Sequence, residues 1–246
     1  MIERQIDIRT SDGEMTTFIC HPERSGPHPA VIFYMDAVGV REELRDMARR
    51  LGTVGYYVAL PNLYYRCNTL EIGPIPQVVE APYRIGMITL MGSITIPKAM
   101  ADTQALIDYI DKDPAASKGP MGAVGYCMSG QYAVNAAAHF PERIAAAASI
   151  YGVSLMTDSH DSPHLAAQNA KGEVYFACAE IDRFTPLETV EKLRQTLSAA
   201  GANAEVELYP KAEHAFCFPE RPAYNKAAAE RHWERLHALF GRNLSR

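Results

Sequence analysis

The sequence predicts an α/β protein built on a mainly parallel β-sheet with helices on both faces. Short apolar runs alternate along the chain with stretches in which apolar residues recur at helical spacing. This alternation is typical of right-handed β–α–β connections. The chain has 246 residues, and its hydrophobic content of 48% is enough for a large core. We therefore predict one domain over residues 1–246.

Eight strands are predicted. The first two form a hairpin, because the Ser-Asp-Gly segment at 11–13 is typical of a turn. The third is a continuous apolar run, as expected for a strand covered on both faces, and the fourth ends at Pro61. The run at 144–150 is rich in alanine, which leaves a helix open there. In chain order the predicted strands lie at residues 6–8, 15–20, 30–35, 56–60, 121–124, 144–150, 174–177 and 206–209.

Helices are predicted where apolar residues lie three and four positions apart. One helix start is especially clear: Thr185 is expected as the N-cap, Pro186 as the first helical residue, and Glu188 as the partner in a capping box. That helix runs to near Gly201. The other predicted helices lie at residues 44–51, 103–110, 131–139 and 233–240.

Residues 74–97 follow neither pattern. They contain four prolines and many apolar residues. A linker would be more polar, so we predict an irregular insertion near the functional site.

Charge and cysteine usage limit the possible functions. The net charge is −5 and there is no basic run, which argues against nucleic acid as a partner. Residues 1–5 do not resemble a signal peptide, and no apolar run reaches the length that a bilayer requires. The five cysteines are odd in number and form no C-x-x-C pair, which favours reduced thiols. We expect a cytoplasmic protein, monomeric or a small homo-oligomer, with a small-molecule partner and no membrane partner.

The segment Gly125-Tyr126-Cys127-Met128-Ser129-Gly130 is the most informative motif. It lies between a predicted strand and a predicted helix, which is the setting of a nucleophile elbow. The small residues leave space for a tight turn. The turn would place the Cys127 sulfur at a helix N-terminus, where backbone N–H groups favour the thiolate. The alternative is an ordinary buried cysteine.

A nucleophilic thiol needs a base, and His214 is the best candidate. It follows the last predicted strand, and loops at the carboxyl ends of parallel strands meet at one edge of the sheet. The other histidines lie in the hairpin region, on predicted helices or in a polar loop. Asp182 also follows a strand and could orient the imidazole, with Glu180 as its competitor and helix capping as its alternative role. The order nucleophile, acid, base is that of α/β-hydrolases.

Further groups would complete such a site. The backbone N–H groups of Ala37 and Met128 are candidates for an oxyanion hole. Asp36 ends the same predicted strand that precedes Ala37, and its carboxylate could disfavour the resting thiolate. A role in a turn or cap before the following helix is equally open for Asp36.

Together these residues resemble the dienelactone hydrolase family of Cys-dependent α/β-hydrolases. The resemblance implies an α/β-hydrolase fold and a triad of Cys127, Asp182 and His214. It also implies hydrolysis of a lactone or ester through an acyl-enzyme thioester, without a cofactor. The matching segments lie at residues 11–13, 34–40, 55–58, 61–64, 125–128, 151–152, 182 and 213–216.

The chain departs from the family pattern at several positions. Asp36 stands where the family usually has Glu, Ser129 stands at the second elbow glycine, and Asn62 replaces the Asp of P-D-L-Y. Authentic dienelactone hydrolases carry an Arg shortly after the catalytic His, where this chain has Cys217-Phe218. We therefore expect neutral lactones to be better substrates than dienelactones. The candidate substrate-binding residues are Arg84, Tyr151, Phe218 and Arg221.

Two other interpretations remain open. A glutamine-amidotransferase-like enzyme also uses G-x-C-x-G, but it would need an H-x-E pair where this chain has His214-Ala215-Phe216. A non-catalytic homologue could keep the elbow as a ligand-binding thiol. A metal site is not expected, because the pair His214 and Cys217 lacks a second pair to complete it.

Overall fold

The computed structural model describes residues 1–73 and 80–244, and it confirms the predicted α/β class. Within these residues the chain forms eight strands and seven α-helices. They belong to two compact units, Met1–Lys118 and Gly119–Arg246. Four of the six strand pairings within the units are parallel, so the pairing is mainly parallel as predicted.

The first unit contains a four-strand arrangement in the order β1-β2-β4-β3. β1 and β2 form the predicted hairpin, with residue Gly13 at φ 142° directly after the turn. β2 is antiparallel to β4, whereas β3 is parallel to β4. The elements of this unit are β1 (Ile2–Thr10), β2 (Gly13–His21), β3 (Ala30–Tyr34), α1 (Glu42–Thr53), β4 (Tyr57–Pro61), α2 (Ala81–Ser93) and α3 (Ile96–Ile110).

The prediction of an irregular insertion at residues 74–97 is wrong where helix α2 forms. Residues 74–79 of that insertion lie outside the described residues, but Ala81–Ser93 is helical and α3 begins at Ile96. Pro82 and Pro97 each lie in the first turn of a helix. The first-turn N–H groups have no partner within a helix, so proline is tolerated there and marks a helix start.

The second unit contains four parallel strands in the order β5-β6-β7-β8. The run at 144–150 is a strand, as predicted, and every residue of β5 is buried. The elements are β5 (Met121–Tyr126), α4 (Gly130–His139), β6 (Ile144–Ile150), α5 (Pro163–Asn169), β7 (Glu173–Ile181), α6 (Leu187–Ala199), β8 (Ala204–Glu213) and α7 (Lys226–Asn243).

The predicted capping box of α6 is wrong. The helix begins at Leu187, its N-cap is Pro186, and no side chain caps it. The Thr185 hydroxyl instead donates to the Gly152 carbonyl at 2.8 Å, in the interior. This hydroxyl therefore joins the loop after β7 to the loop after β6.

Candidate active site

Cys127 lies at the turn between β5 and α4, as the sequence predicts. Its φ of 54° is in the left-handed region, which is unfavourable for a residue with a side chain. The turn is closely packed: a Cβ on Gly125 would lie 2.0 Å from the Ser129 carbonyl oxygen. Cys127 is partly exposed. The thiol is therefore partly exposed and lies on a strained turn.

The elbow leads directly into helical backbone. Residues Cys127–Ser129 form a single 3₁₀ turn that continues into α4. Backbone N–H groups at a helix N-terminus favour a negative charge, and here that charge would be the thiolate. Gly130 allows α4 to approach the loop after β6, since a Cβ there would lie 2.8 Å from the Gly152 Cα.

His214 and Asp182 form the hydrogen bond expected of a base and its orienting acid. Nδ1 of His214 lies 2.7 Å from Oδ2 of Asp182, whose side chain is buried. The other carboxylate oxygen of Asp182 accepts the backbone N–H of Phe184 at 2.9 Å. Glu180 accepts the backbone N–H of Lys211 instead. Of the two candidate acids, the structure therefore pairs Asp182 with the imidazole.

The environment of His214 raises its pKa to about 10. Burial acts to lower this pKa, but the charge of Cys127, the hydrogen bonds to Asp182 and Cys127, and the charge of Asp182 outweigh burial. These effects together favour the protonated imidazole. Nε2 of His214 is buried and makes no well-aligned hydrogen bond to the described residues. Catalytic hydrogen bonds are often poorly aligned without substrate.

Two aromatic rings contact the imidazole. The Tyr151 ring lies 5.1 Å from it in an edge-on arrangement, and the Phe184 ring lies 4.9 Å from it. Tyr151 is buried, with φ at 36°, and Phe184 is half exposed. Burial raises the pKa of the Cys217 thiol well above its usual value, and a hydrogen bond from Tyr151 acts in the opposite direction.

The predicted oxyanion-hole and thiol-modulating residues divide between the two units. Met128 is buried in the 3₁₀ turn after Cys127. Asp36 and Ala37 belong to the first unit, and their predicted roles stay predictions. The Asp36 carboxylate accepts the Val38 backbone N–H at 3.1 Å and an Arg41 guanidinium N–H at 2.7 Å. The turn role that the sequence left open for Asp36 is therefore present.

The four candidate substrate-binding residues have very different exposure. Arg84 is exposed on α2, and Arg221 is half-buried with its guanidinium 5.8 Å from the Phe218 ring centroid. Tyr151 and Phe218 are both buried, and their rings are 6.0 Å apart. Phe218 packs against Tyr151, and the substrate-binding roles predicted for these four residues stay predictions.

Phe184 and Thr185 are site residues that the sequence did not indicate. From the sequence alone, Phe184 resembles an ordinary loop residue and Thr185 resembles a helix cap. The available signal was position, since both lie within three residues of Asp182 in the loop after β7.

The described residues offer neither a metal-binding cluster nor a membrane-spanning helix. Over residues 1–73 and 80–244, no three His, Cys, Asp or Glu side chains are grouped so that they could hold a metal ion. No helix in that part of the chain is long and apolar enough to cross a membrane.

Comparison with known sequences gives one consistent result. A sequence model of the dienelactone hydrolase family matches residues 15–244. A protein of Escherichia coli O157:H7, provisionally named a carboxymethylenebutenolidase, is 31% identical over 238 residues, which cover 95% of this chain and 84% of that protein. A relative from Methylorubrum extorquens with the same provisional name is 27% identical, over 98% of this chain and 81% of that protein.

Solved structures agree with this result. A provisionally named dienelactone hydrolase from Klebsiella pneumoniae subsp. pneumoniae has a TM-score of 0.85 and 29% identity, over 98% of both chains. A dienelactone hydrolase from Anabaena variabilis has a TM-score of 0.71 over 99% of both chains, but at 16% identity it shows the fold alone. These similarities confirm the fold predicted from the sequence.

Proposed function

The chain belongs to the dienelactone hydrolase family, whose sequence model and relatives match nearly its whole length, and we propose that it hydrolyses small esters or lactones with Cys127 as the nucleophile. This family consists of hydrolases with the α/β-hydrolase fold. The Cys127 mechanism and the substrate are our proposal. The observation that carries it is the hydrogen-bonded pair of Asp182 and His214 beside a strained, partly exposed Cys127.

The proposed reaction has two acyl-transfer steps. The Cys127 sulfur attacks the acyl carbon, and backbone N–H groups of Met128 and Ala37 bind the oxyanion. The C–O bond then breaks, the leaving alcohol takes the proton from Nε2 of His214, and a thioester remains on Cys127. A water molecule gives a proton to His214 and attacks the thioester, which releases the acid and restores the thiolate and imidazolium. Asp182 holds the imidazole through Nδ1 during both steps.

The same proposal includes the cellular location, cofactor use, partners, domain number and oligomeric state of the enzyme. The enzyme would be cytoplasmic, would act on a small molecule without a cofactor, and would have no nucleic-acid or membrane partner. It would be a single domain, present as a monomer or a small homo-oligomer.

The nucleophile is tested with p-nitrophenyl acetate. We expect Cys127→Ala to abolish turnover, while Cys178→Ala, which removes another free but buried cysteine, retains it. Mass spectrometry of the quenched wild-type enzyme should detect an acetyl group on Cys127. Turnover equal to wild type in Cys127→Ala would refute the proposal.

Labelling with iodoacetamide separates a catalytic thiol from a thiol that only binds a ligand. Alkylation of Cys127 should be much faster than alkylation of free cysteine, and His214→Ala should remove this enhancement. Slow labelling that does not depend on His214 would favour the non-catalytic interpretation.

A further inference from the structure

Phe184 is an exposed aromatic residue at the catalytic base. Half of its surface (50%) is exposed, yet its ring centroid lies 4.9 Å from that of His214. A single exposed apolar side chain is common on protein surfaces, but this ring contacts the imidazole, so a ligand that binds at His214 would also meet it.

The backbone around Phe184 is fixed to the site. The Phe184 N–H donates to Oδ1 of Asp182, and the buried Thr185 hydroxyl donates to the Gly152 carbonyl. Phe184 is thus anchored on both sides while its ring remains exposed. The Arg183 guanidinium lies 4.8 Å from the ring centroid, which further restricts the ring.

The chemistry of ester cleavage determines which part of a substrate contacts the Phe184 ring. His214 gives its proton to the departing alcohol oxygen, so that oxygen must come within hydrogen-bonding distance of Nε2, about 2.6–3.2 Å. The groups attached to that oxygen then lie next to the rings that flank the imidazole. Tyr151 is buried, so Phe184 is the flanking ring that a substrate can reach.

We propose that Phe184 determines specificity by binding an apolar, preferably aromatic, alcohol portion of the substrate. This inference rests on the proposed function and narrows it to esters and lactones with an uncharged, apolar leaving side. The Arg183 guanidinium stacks on the Phe184 ring and does not pair with a substrate carboxylate.

Three acetate esters with the same acyl group test the assignment. Benzyl acetate has an apolar leaving alcohol, 2-hydroxyethyl acetate a small polar one, and 4-(acetoxymethyl)benzoate an anionic aromatic one. The wild-type enzyme should prefer benzyl acetate over 2-hydroxyethyl acetate in kcat/KM by about tenfold or more. Phe184→Ala should lose most of this preference through a higher KM, and Phe184→Leu should retain part of it.

Leu187→Ala is the matched control, because Leu187 is equally exposed at 49% and lies in the same segment. It should keep the wild-type preference. Arg183→Gln should not selectively impair 4-(acetoxymethyl)benzoate; a selective loss above about tenfold would mean that Arg183 binds the carboxylate, and would overturn the apolar assignment.

Cys127→Ala separates this inference from the proposed function. If turnover needs Cys127 but Phe184→Ala keeps the full preference, the inference fails and the proposed function stands. If turnover persists in Cys127→Ala, both fail together.

Discussion

At the scale of single residues, the proposed mechanism needs a positive charge on His214, whose side chain is 18% exposed. Burial opposes that charge, whereas the Cys127 thiolate and Asp182 stabilise it, and the pKa of His214 rises to about 10. A raised pKa favours the protonated imidazole, which in the proposed reaction delivers a proton to the leaving alcohol.

Replacing Asp182 with Asn tests this balance. Asn keeps a polar side chain but removes the negative charge, so we expect kcat to fall by roughly 10²–10⁴-fold. The pKa of His214 should fall, because two of the interactions that raise it are weakened. The alkaline limb of the kcat/KM profile, where the imidazolium loses its proton, should move to lower pH. The measurement is kcat/KM between pH 6 and about pH 11.

Glu180→Gln provides the control for Asp182→Asn. The Glu180 carboxylate accepts the Lys211 N–H and does not bind His214. We expect this variant to keep the wild-type pH profile. An unchanged alkaline limb in Asp182→Asn would contradict the assigned role of Asp182.

At the scale of secondary-structure elements, the turn between β5 and α4 is set by close backbone contacts. A Cβ on Gly125 would lie 2.0 Å from the Ser129 carbonyl oxygen, and a Cβ on Gly130 would lie 2.8 Å from the Gly152 Cα. These are backbone atoms, so they cannot move aside as a flexible side chain could. The glycines thus allow the turn that gives Cys127 its φ of 54°.

Gly125→Ala should therefore disrupt the turn. We expect a loss of about 3 kcal/mol or more in the free energy of unfolding, at the upper end of the cost of overpacking, together with loss of activity. Gly241→Ala is the control, since among the described residues no atom outside the neighbouring backbone of α7 lies within 4 Å of a Cβ at that position. It should gain about 0.5–1 kcal/mol through the better helix propensity of alanine. Urea unfolding and ester turnover measure both effects, and wild-type stability in Gly125→Ala would refute this account of the turn.

At the scale of the whole molecule, the net charge of −5 acts against anionic substrates. Five charges at about 20 Å in water contribute about 1 kcal/mol, which corresponds to about fivefold in the encounter with a monoanion. Phe218, at a position where the family resemblance leads us to expect a carboxylate-binding Arg, offers no compensating positive charge, and its side chain is buried. Under the proposed function, both features favour neutral lactones.

The substrate preference should therefore depend on salt. We expect kcat/KM for a dienelactone to be below that for a neutral lactone. The difference should narrow by about twofold between 10 mM and 150 mM salt, as the Debye length falls from about 30 to 8 Å. A steady-state comparison of the two lactones at both salt concentrations measures this. A dienelactone that is the better substrate at low salt would contradict the prediction.

The sequence by itself determined the α/β class, the hairpin, most strands and the positions of Cys127, Asp182 and His214 after their strands. These features follow from local patterns: alternating runs of apolar residues, and small residues around a turn. The prolines of α2 and α3 show how such patterns mislead, because Pro82 and Pro97 lie in first helical turns rather than in irregular chain.

Only the tertiary structure decided which partner each polar group takes. The sequence favours Asp182 but leaves Glu180 as a competitor, and the structure shows that Asp182 bonds to His214 whereas Glu180 bonds to Lys211. The Thr185 hydroxyl has the sequence context of a helix cap, yet it bonds the Gly152 carbonyl 33 residues away in the chain. Local patterns do not encode such pairings, because a hydrogen bond depends on which loops the parallel strands bring together. For the same reason, the contact between Phe184 and His214 could not be predicted from the sequence.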